Sequence, residues 1–349
     1  MSDGYDDLDK QIIDLISRRF AAYIEELKRT GADASQLFAP ADRGRLFEMI
    51  ESMNKGPLSS ELFKRIYTEL LTHASDLVKP VTIAYLGPAG TFTHLALRDI
   101  FGETAQAIPM KTIHDVFTEV ETGRVTCGVV PVENSTEGAV TYTLDELLDT
   151  DLKIVAEKSL RISYSLASVA KDMKSIKKLY SHPQSFGQCK EWIRKNLPNA
   201  ELHHVNSNAL AAETASWDKL SGAITSEVSA EINRLNVLAT GIEDSKQNHT
   251  RFLVIGRTDN PPTGRDKTSI VCALKDKPGA LYNMLQPFSD AGINMTKIES
   301  RPDKKKMWEY NFFIDFIGHR NSKDVVKVIE QMRDDLIFLK ILGSYPIEN

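Results

Sequence analysis

The chain has 349 residues, 42% hydrophobic and 26% charged, which is the range of ordinary globular proteins and long enough for two or three domains. Its formal net charge of -5 argues against nucleic acid or an anionic membrane as partner, since both demand a basic footprint. Cys127, Cys189 and Cys272 are widely spaced with no CxxC pair, so they suggest neither a disulfide framework nor a metal site and fit a reducing compartment.

The opening "MSDGYDDLDK" is acidic and polar, unlike a secretory signal, and no apolar run approaches the roughly 20 residues of a membrane span. The expectation is a cytoplasmic protein. Residues 5–79 read as all-helical. Leu8, Ile12, Leu15, Ile16, Phe20, Tyr23 and Leu27 follow an i, i+3, i+4 rhythm, predicting one buried stripe on a helix that ends at Gly31. A second helix is predicted from about Asp42 to Met53. It opens on "APADRGRLF", where Arg43 and Arg45 flank Gly44. A glycine one turn into a helix costs roughly 1 kcal/mol relative to alanine, and paired arginines there look suited to hold an anion. A third helix is capped by Ser59 or Ser60, with Leu62, Phe63, Ile66, Leu70 and Leu77 as its apolar face. Three such helices are hard to close alone and predict a dimeric bundle.

From Pro80 the rhythm changes to short β-branched runs separated by helices at Phe92–Phe101, Ile113–Thr122, Ser185–Asn196 and Ala209–Lys219, an α/β layer pattern. Arg257–Thr268 is a Pro/Gly-rich polar linker. Beyond it the predicted order is strand, helix, two strands, helix, strand, the ferredoxin-like βαββαβ.

Three polar, sharply turned segments follow strands: "GPAGTFTH" (Gly87–His94), "ENSTEG" (Glu133–Gly138) and "SHPQSFG" (Ser181–Gly187). In open α/β sheets ligands bind beyond the strand C-termini, where helix starts offer unpaired N–H groups to anions. No phosphate-loop lysine and no GxGxxG spacing accompanies them, which argues against a nucleotide. Each loop taken alone also reads as a turn, His182 as a capping or packing histidine, and "QNHTRF" as a polar entry to a strand. The residues by themselves predict a cleft for a small carboxylate, with no metal cluster and no cofactor.

Taken together, "GPAGTFTH", "VPVENSTEG", "SHPQ" and "NHTRF" resemble prephenate dehydratase in order and spacing. "KPGAL" (Lys277–Leu281) and "ESRP" (Glu299–Pro302) resemble the phenylalanine-binding motifs of the ACT regulatory domain. The resemblance covers nearly all of residues 80–349. It implies a multidomain chain: an all-α N-terminal domain (1–79), a two-lobed α/β catalytic domain like type II periplasmic binding proteins, a linker (258–268), and an α+β ferredoxin-like ACT domain (269–349). The catalytic lobes would be 80–159 with 239–257, and 160–238.

The implied reaction is loss of carbon dioxide and water from prephenate to give phenylpyruvate, with phenylalanine as feedback inhibitor. The resemblance places Thr250 beside the leaving hydroxyl. It puts Thr91, Phe92, Asn134, Ser135, Thr136, Ser181, His182, Gln184, Ser207, Asn208, Arg251 and Phe252 around the substrate. A threonine hydroxyl titrates far too high to be a strong acid, so its expected role is hydrogen-bond donation or proton relay, with Glu133, His182 and His249 as stronger acids nearby. Gly279, Ala280, Leu281, Glu299, Ser300, Arg301 and Pro302 would form the phenylalanine site, in a homodimer or homotetramer.

Residues 5–79 more distantly resemble chorismate mutase, with Arg19 and Arg43 at positions of carboxylate-binding arginines. The other expected ligands fall at Ser2, Thr30, Gly44, Ala74 and Val78. Loss of these donors implies weak or absent mutase activity; a fully bifunctional enzyme is the alternative, and an amino-acid-sensing binding protein the non-enzyme alternative.

Overall fold

The computed structural model describes residues 3–30, 40–303 and 310–348. The N-terminal domain consists of α1 (Asp3–Thr30), α2 (Pro40–Met53) and α3 (Ser60–Asp76); Ser2 and the expected stop at Gly31 lie outside the described residues. Only the second half of the α1 stripe is covered. Phe20 and Leu27 are buried, whereas Leu8, Ile12 and Leu15 are 56%, 53% and 61% exposed. Geometry explains the split: the 28 residues of α1 extend about 42 Å, at about 1.5 Å per residue, beyond the reach of the 17-residue α3.

Ser59 is the cap of α3, its hydroxyl accepting from the Leu62 amide at 3.2 Å. The expected apolar face is only partly right. α3 buries Thr68, Leu71, Thr72, Ala74 and Ser75 and leaves Leu62, Ile66 and Leu77 exposed. Its buried side meets a second domain as well as α1; Thr68 and Ser75 donate to carbonyls of α3 itself, those of Lys64 and Leu71, while Thr72 reaches the other domain. Thr72 Oγ1 donates to the Phe101 carbonyl at 2.5 Å.

The first lobe of the middle domain runs β1 (Thr82–Leu86), α4 (Phe92–Phe101), β2 (Gln106–Met110), α5 (Ile113–Glu121), β3 (Cys127–Asn134), β4 (Gly138–Ala139), α6 (Thr141–Asp149) and β5 (Lys153–Arg161). The second runs β6 (Ser165–Ser168), β7 (Lys178–Ser181), α7 (Pro183–Gln188), α8 (Lys190–Asn196), β8 (Glu201–His204), α9 (Asn208–Ala215), β9 (Ser221–Thr225), α10 (Glu227–Ile232) and β10 (Asn236–Thr240). The chain then returns to the first lobe as β11 (His249–Gly256). The sheets are ordered β2-β1-β3-β11-β5, with β4 on β3, and β10-β6-β9-β7-β8. β11 is antiparallel to both neighbours, inserted between β3 and β5. Because β10 still pairs with β6, the second lobe extends to Thr240, past the expected limit at 238. The helix expected over Ser185–Asn196 is two, meeting at Cys189.

The C-terminal domain is β12 (Asp266–Leu274), α11 (Ala280–Asp290), β13 (Met295–Pro302), β14 (Tyr310–Ile317), α12 (Lys323–Met332) and β15 (Leu336–Pro346). Its antiparallel sheet is ordered β13-β14-β12-β15, as the βαββαβ reading requires. The preceding linker is not a free tether. Asn260 is buried and its amide donates to the carbonyls of Val155 at 2.6 Å and Ser344 at 3.2 Å. Val271, Phe313, Leu342 and Tyr345 share a core with Val130, Leu253 and Ile255 of the first lobe. A Cβ on Gly343 would overlap the Ile154 backbone, so β15 reaches β5 at a distance only glycine allows.

Candidate active site

Between the lobes lies a cavity of about 360 Å3. Thr91, Phe92, Asn134, His182, Gln184, Ser207, Asn208 and Thr250 line it, together with Glu137, Tyr164 and Ser185. The first lobe supplies the start of α4. Thr91 caps that helix, accepting from the His94 amide and donating to the Leu86 carbonyl at 3.1 Å. His94 holds the loop from beneath: Nδ1 accepts the Gly90 N–H at 3.1 Å, and the ring stacks on Tyr85. Gly90 sits at φ 87° with Ser229 so close that a Cβ would collide, and its carbonyl accepts from Ser226 at 2.9 Å. The lobes therefore touch at this loop.

In the second lobe, Asn208 organises the opposite wall. Its Oδ1 accepts from Ser181 Oγ, the His182 amide and Ser185 Oγ at 3.0, 3.1 and 2.9 Å. Ser207 caps α9 through the Leu210 amide at 3.0 Å. Ser181 is thereby a buried brace rather than a lining residue.

Asn134 is the hub of the cleft floor. Its Oδ1 accepts from the Thr136 amide and hydroxyl, at 3.0 and 2.6 Å, and from the Glu137 amide at 3.2 Å. Its Nδ2 donates to Thr250 Oγ1 at 2.8 Å and to Asn248 Oδ1 at 2.9 Å. Ser135 and Thr136 fasten this turn instead of facing the cavity: Ser135 Oγ donates to the Gln247 carbonyl, and Thr136 Oγ1 accepts from Gln188 of the second lobe.

Two expected substrate contacts are turned away. Thr250 faces the cleft, so strand alternation sends Arg251 to the other side. There Nε donates to Glu157 at 2.7 Å, Nη1 to Asp315 at 2.6 Å and Nη2 to the Tyr345 hydroxyl at 2.8 Å. Burial opposes the Arg251 charge, but Tyr345, Asp315 and Glu157 outweigh it and raise its pKa. Phe252 is 1% exposed and packs with Ile83, Leu97, Val129 and Val254, a layer below the cavity.

The acids sort differently from the sequence expectation. Glu133 pairs with Lys297 of the C-terminal domain at 2.6 Å, and His249 is exposed outside the cavity lining. Among the described residues, Glu137 is the sole carboxylate of the lining, and no lysine or arginine accompanies it. Burial lowers the pKa of His182, with Glu137 opposing and His204 assisting, which keeps the ring neutral near pH 7. Burial pushes Tyr164 up to about 12, so its hydroxyl is a standing donor. The sequence reading missed Glu137, although it stands inside a quoted motif, because nothing in the string distinguishes it from Glu133. Tyr164 belongs to no motif and reaches the site only through the fold.

This lining can grip carboxylates with amide and hydroxyl donors at the starts of α4 and α9, where the helix dipole adds positive potential. Because Thr250 Oγ1 already accepts from Asn134, its own proton is free to be donated. The arrangement suits departure of a poor leaving group from a small anion.

A larger cavity of about 680 Å3 lies where α2 and α3 meet the first lobe and the chain's C-terminal segment. Its walls mix both signs of charge, already paired as Lys64–Glu51, Arg98–Glu103, Lys158–Asp99 and Arg265–Glu48. It reads as an interdomain seam. Arg43 lies here, stacked on Phe47 and donating to Thr68 Oγ1 at 3.0 Å, the Asp99 carbonyl at 3.3 Å and the Ile100 carbonyl. Burial lowers its pKa to about 10, against Asp99 and Glu348. Arg19 is exposed beside Phe20 and Tyr23. Arg45 lines the same seam, and nothing lies near the position a Cβ would take on Gly44.

In the C-terminal domain, Gly279 precedes α11 at φ 82°, a conformation that favours glycine whether or not a ligand approaches. Ala280 is buried and Leu281 is 41% exposed. The ESRP stretch alternates along β13: Ser300 and Pro302 are exposed, while Glu299 and Arg301 are half-buried. Arg301 makes a two-pronged ion pair with Asp145 of α6, at 2.6 and 2.7 Å.

Comparison with known proteins agrees with this anatomy. Residues 83–260 match the family model for prephenate dehydratase, and residues 268–334 that for the ACT domain. The chain is 44% identical over 347 residues to the bifunctional chorismate mutase/prephenate dehydratase of Aquifex aeolicus, covering 98% of this chain and 95% of that protein. It is similar to the crystal structure of a prephenate dehydratase in complex with L-Phe from Arthrobacter aurescens, with a TM-score of 0.71, 34% identity, and coverage of 76% of this chain and 90% of that one. A structure described as GqqA, a novel type of quorum quenching acylase, also gives a TM-score of 0.71 at 27% identity, covering 76% of this chain and 98% of that one. One fold thus serves differently named activities, and the substrate must be argued from the site. With its motifs in order around one cleft and its relatives matched across almost their whole length, the chain belongs to the prephenate dehydratase family and carries an ACT domain behind the dehydratase lobes.

Proposed function

We propose that the chain converts prephenate to phenylpyruvate in a cytoplasmic route to phenylalanine, with phenylalanine acting back on the ACT domain. The carrying observation is Thr250, presented to the cleft by β11 and held by Asn134 at 2.8 Å. In the reaction the bond from ring to carboxylate breaks and its electron pair completes the aromatic ring. The ring hydroxyl departs, leaving as water once it takes a proton. Aromatisation supplies most of the driving force, so the protein's task is to orient both carboxylates and assist that hydroxyl. Amides and hydroxyls of the α4 and α9 starts suit the first task. Thr250 suits the second, passing a proton on rather than titrating itself. Phenylpyruvate formation from prephenate by the purified chain tests the reading, and absence of product contradicts it.

The phenylalanine site is assigned to Gly279, Ala280, Leu281, Glu299, Ser300, Arg301 and Pro302, in a homodimer or homotetramer. Support comes from the L-Phe complex of the Arthrobacter relative and from the exposed apolar half of α1. Sedimentation of the full chain as a monomer would count against the assembly. The N-terminal domain is assigned weak or no mutase activity, because Arg43 is spent on the backbone of α4 and Gly44 brings no side chain. Chorismate turnover at the rate of an efficient mutase would restore the fully bifunctional reading.

A further inference from the structure

The cleft accounts for Thr250 but not for Arg251 beside it. The Arg251 fork enters a largely buried polar cluster shared by two domains: Glu157 from the first lobe, and Lys267, Ser269, Asp315 and Tyr345 from the ACT domain. Lys267 donates to Glu157 at 2.6 Å, and Ser269 Oγ to Asp315 at 2.5 Å. Two cations face two carboxylates, so the cluster is neutral and closed. Arg251 points in three directions to partners in both domains, and an ACT domain that shifts against β11 must break these bonds in a dry site.

Three more grips reach two elements that border the cleft. Lys297 of β13 holds Glu133, the residue before Asn134. Arg301 holds Asp145, and Lys340 of β15 donates to the carbonyls of Leu147 at 3.0 Å and Leu148 at 2.8 Å at the end of α6, whose preceding residue Val140 lines the cavity. β11 also carries a register irregularity against β3 between Arg251 and Phe252. Against β5 the ladder runs unbroken through Thr250, Arg251 and Phe252, so at this point β11 is held regularly on one edge only and its twist is open to setting by side chains on the β3 side.

We infer that Arg251 is a positioning residue that couples the ACT domain to the cleft: its contacts with Asp315 and Tyr345 set the rotation of β11, and so the placement of Thr250 against Asn134. This rests on the dehydratase and phenylalanine reading above. Thr250 and Arg251 leave opposite faces of one strand, one residue apart. Any roll of the strand that relieves Arg251 therefore moves Thr250 by the same angle.

The test uses the full chain and Asp315→Asn, a residue outside the cleft lining, beside Arg251→Lys. Both variants are expected to lower kcat with little change in KM for prephenate. Both should also shift the phenylalanine concentration for half-inhibition by about fivefold or more, while calorimetry still shows phenylalanine binding. Ser269→Ala, which removes a hydroxyl and no charge, should move the same readouts in the same direction and serves if Asp315→Asn does not fold. Wild-type kinetics and inhibition in Asp315→Asn, with Arg251→Lys raising KM alone, would make Arg251 a substrate contact and overturn the inference. A parent chain that makes phenylpyruvate but ignores phenylalanine overturns the coupling alone. One that makes no phenylpyruvate overturns the functional reading, and the inference with it.

Discussion

On the proposed reading Thr250, held by Asn134, assists the leaving hydroxyl, and substitution of Thr250 has a directional outcome. Thr250→Val keeps the shape and loses the proton, so kcat should fall by about a hundredfold or more with KM nearly unchanged. Thr250→Ser should retain most of the rate. Steady-state phenylpyruvate formation separates the two, and an active valine variant would remove Thr250 from the mechanism. His94 and His182 give the site a pH signature. Burial lowers both pKa values, His94 with help from Arg98, so both rings take up protons less readily in the fold than when unfolded. Their contribution to stability is therefore full above the unfolded value of about 6.5 and declines as pH falls below it. Melting temperatures recorded from pH 7.5 down to pH 5 should drop, and His94→Gln should flatten the slope. An unchanged slope in His94→Gln would contradict the assignment.

At the level of elements, the motifs were legible because each loop joins a strand to a turn or helix start with its own polar residues. Thr91 and Thr250, which stand in quoted motifs, line the cavity, and so does Ser207, which only the resemblance proposed. The direction of Arg251 was not legible, since a four-residue motif does not reveal which side of a strand faces ligand. The resemblance placed Arg251 and Phe252 at the substrate; alternation and packing place one in an interdomain cluster and the other in the core. The α1 stripe is covered within the chain over only its second half, because periodicity reports an apolar face but not what covers it. The seam between β15 and β5 was equally silent, as Gly343 looks like any strand glycine until Ile154 lies against it. Gly343→Ala should overpack this contact and cost about 1–3 kcal/mol. Differential scanning calorimetry should show the loss, and full wild-type stability would mean the domains dock less tightly than described.

Across the whole molecule, the domains share contacts that the domain boundaries in the sequence hide. Arg43 and Thr72 fix the C-terminal end of α4, whose start forms one wall of the cleft. The ACT domain fixes β11 and β3, which supply the cleft floor, and α6, which follows the lining residue Val140. Fold class and element order follow from hydrophobic rhythm and turn chemistry, but the long-range ion pairs join residues up to 217 positions apart in the chain and leave no local trace. The N-terminal arm is thus expected to serve the dehydratase as scaffold more than to act on its own substrate. The most direct measurement is phenylpyruvate production from prephenate by the purified full-length chain, with and without phenylalanine, alongside Thr250→Val. The account predicts rapid turnover that phenylalanine suppresses and that the valine variant largely loses. Absence of phenylpyruvate from the unaltered chain, or undiminished production by Thr250→Val, would contradict it.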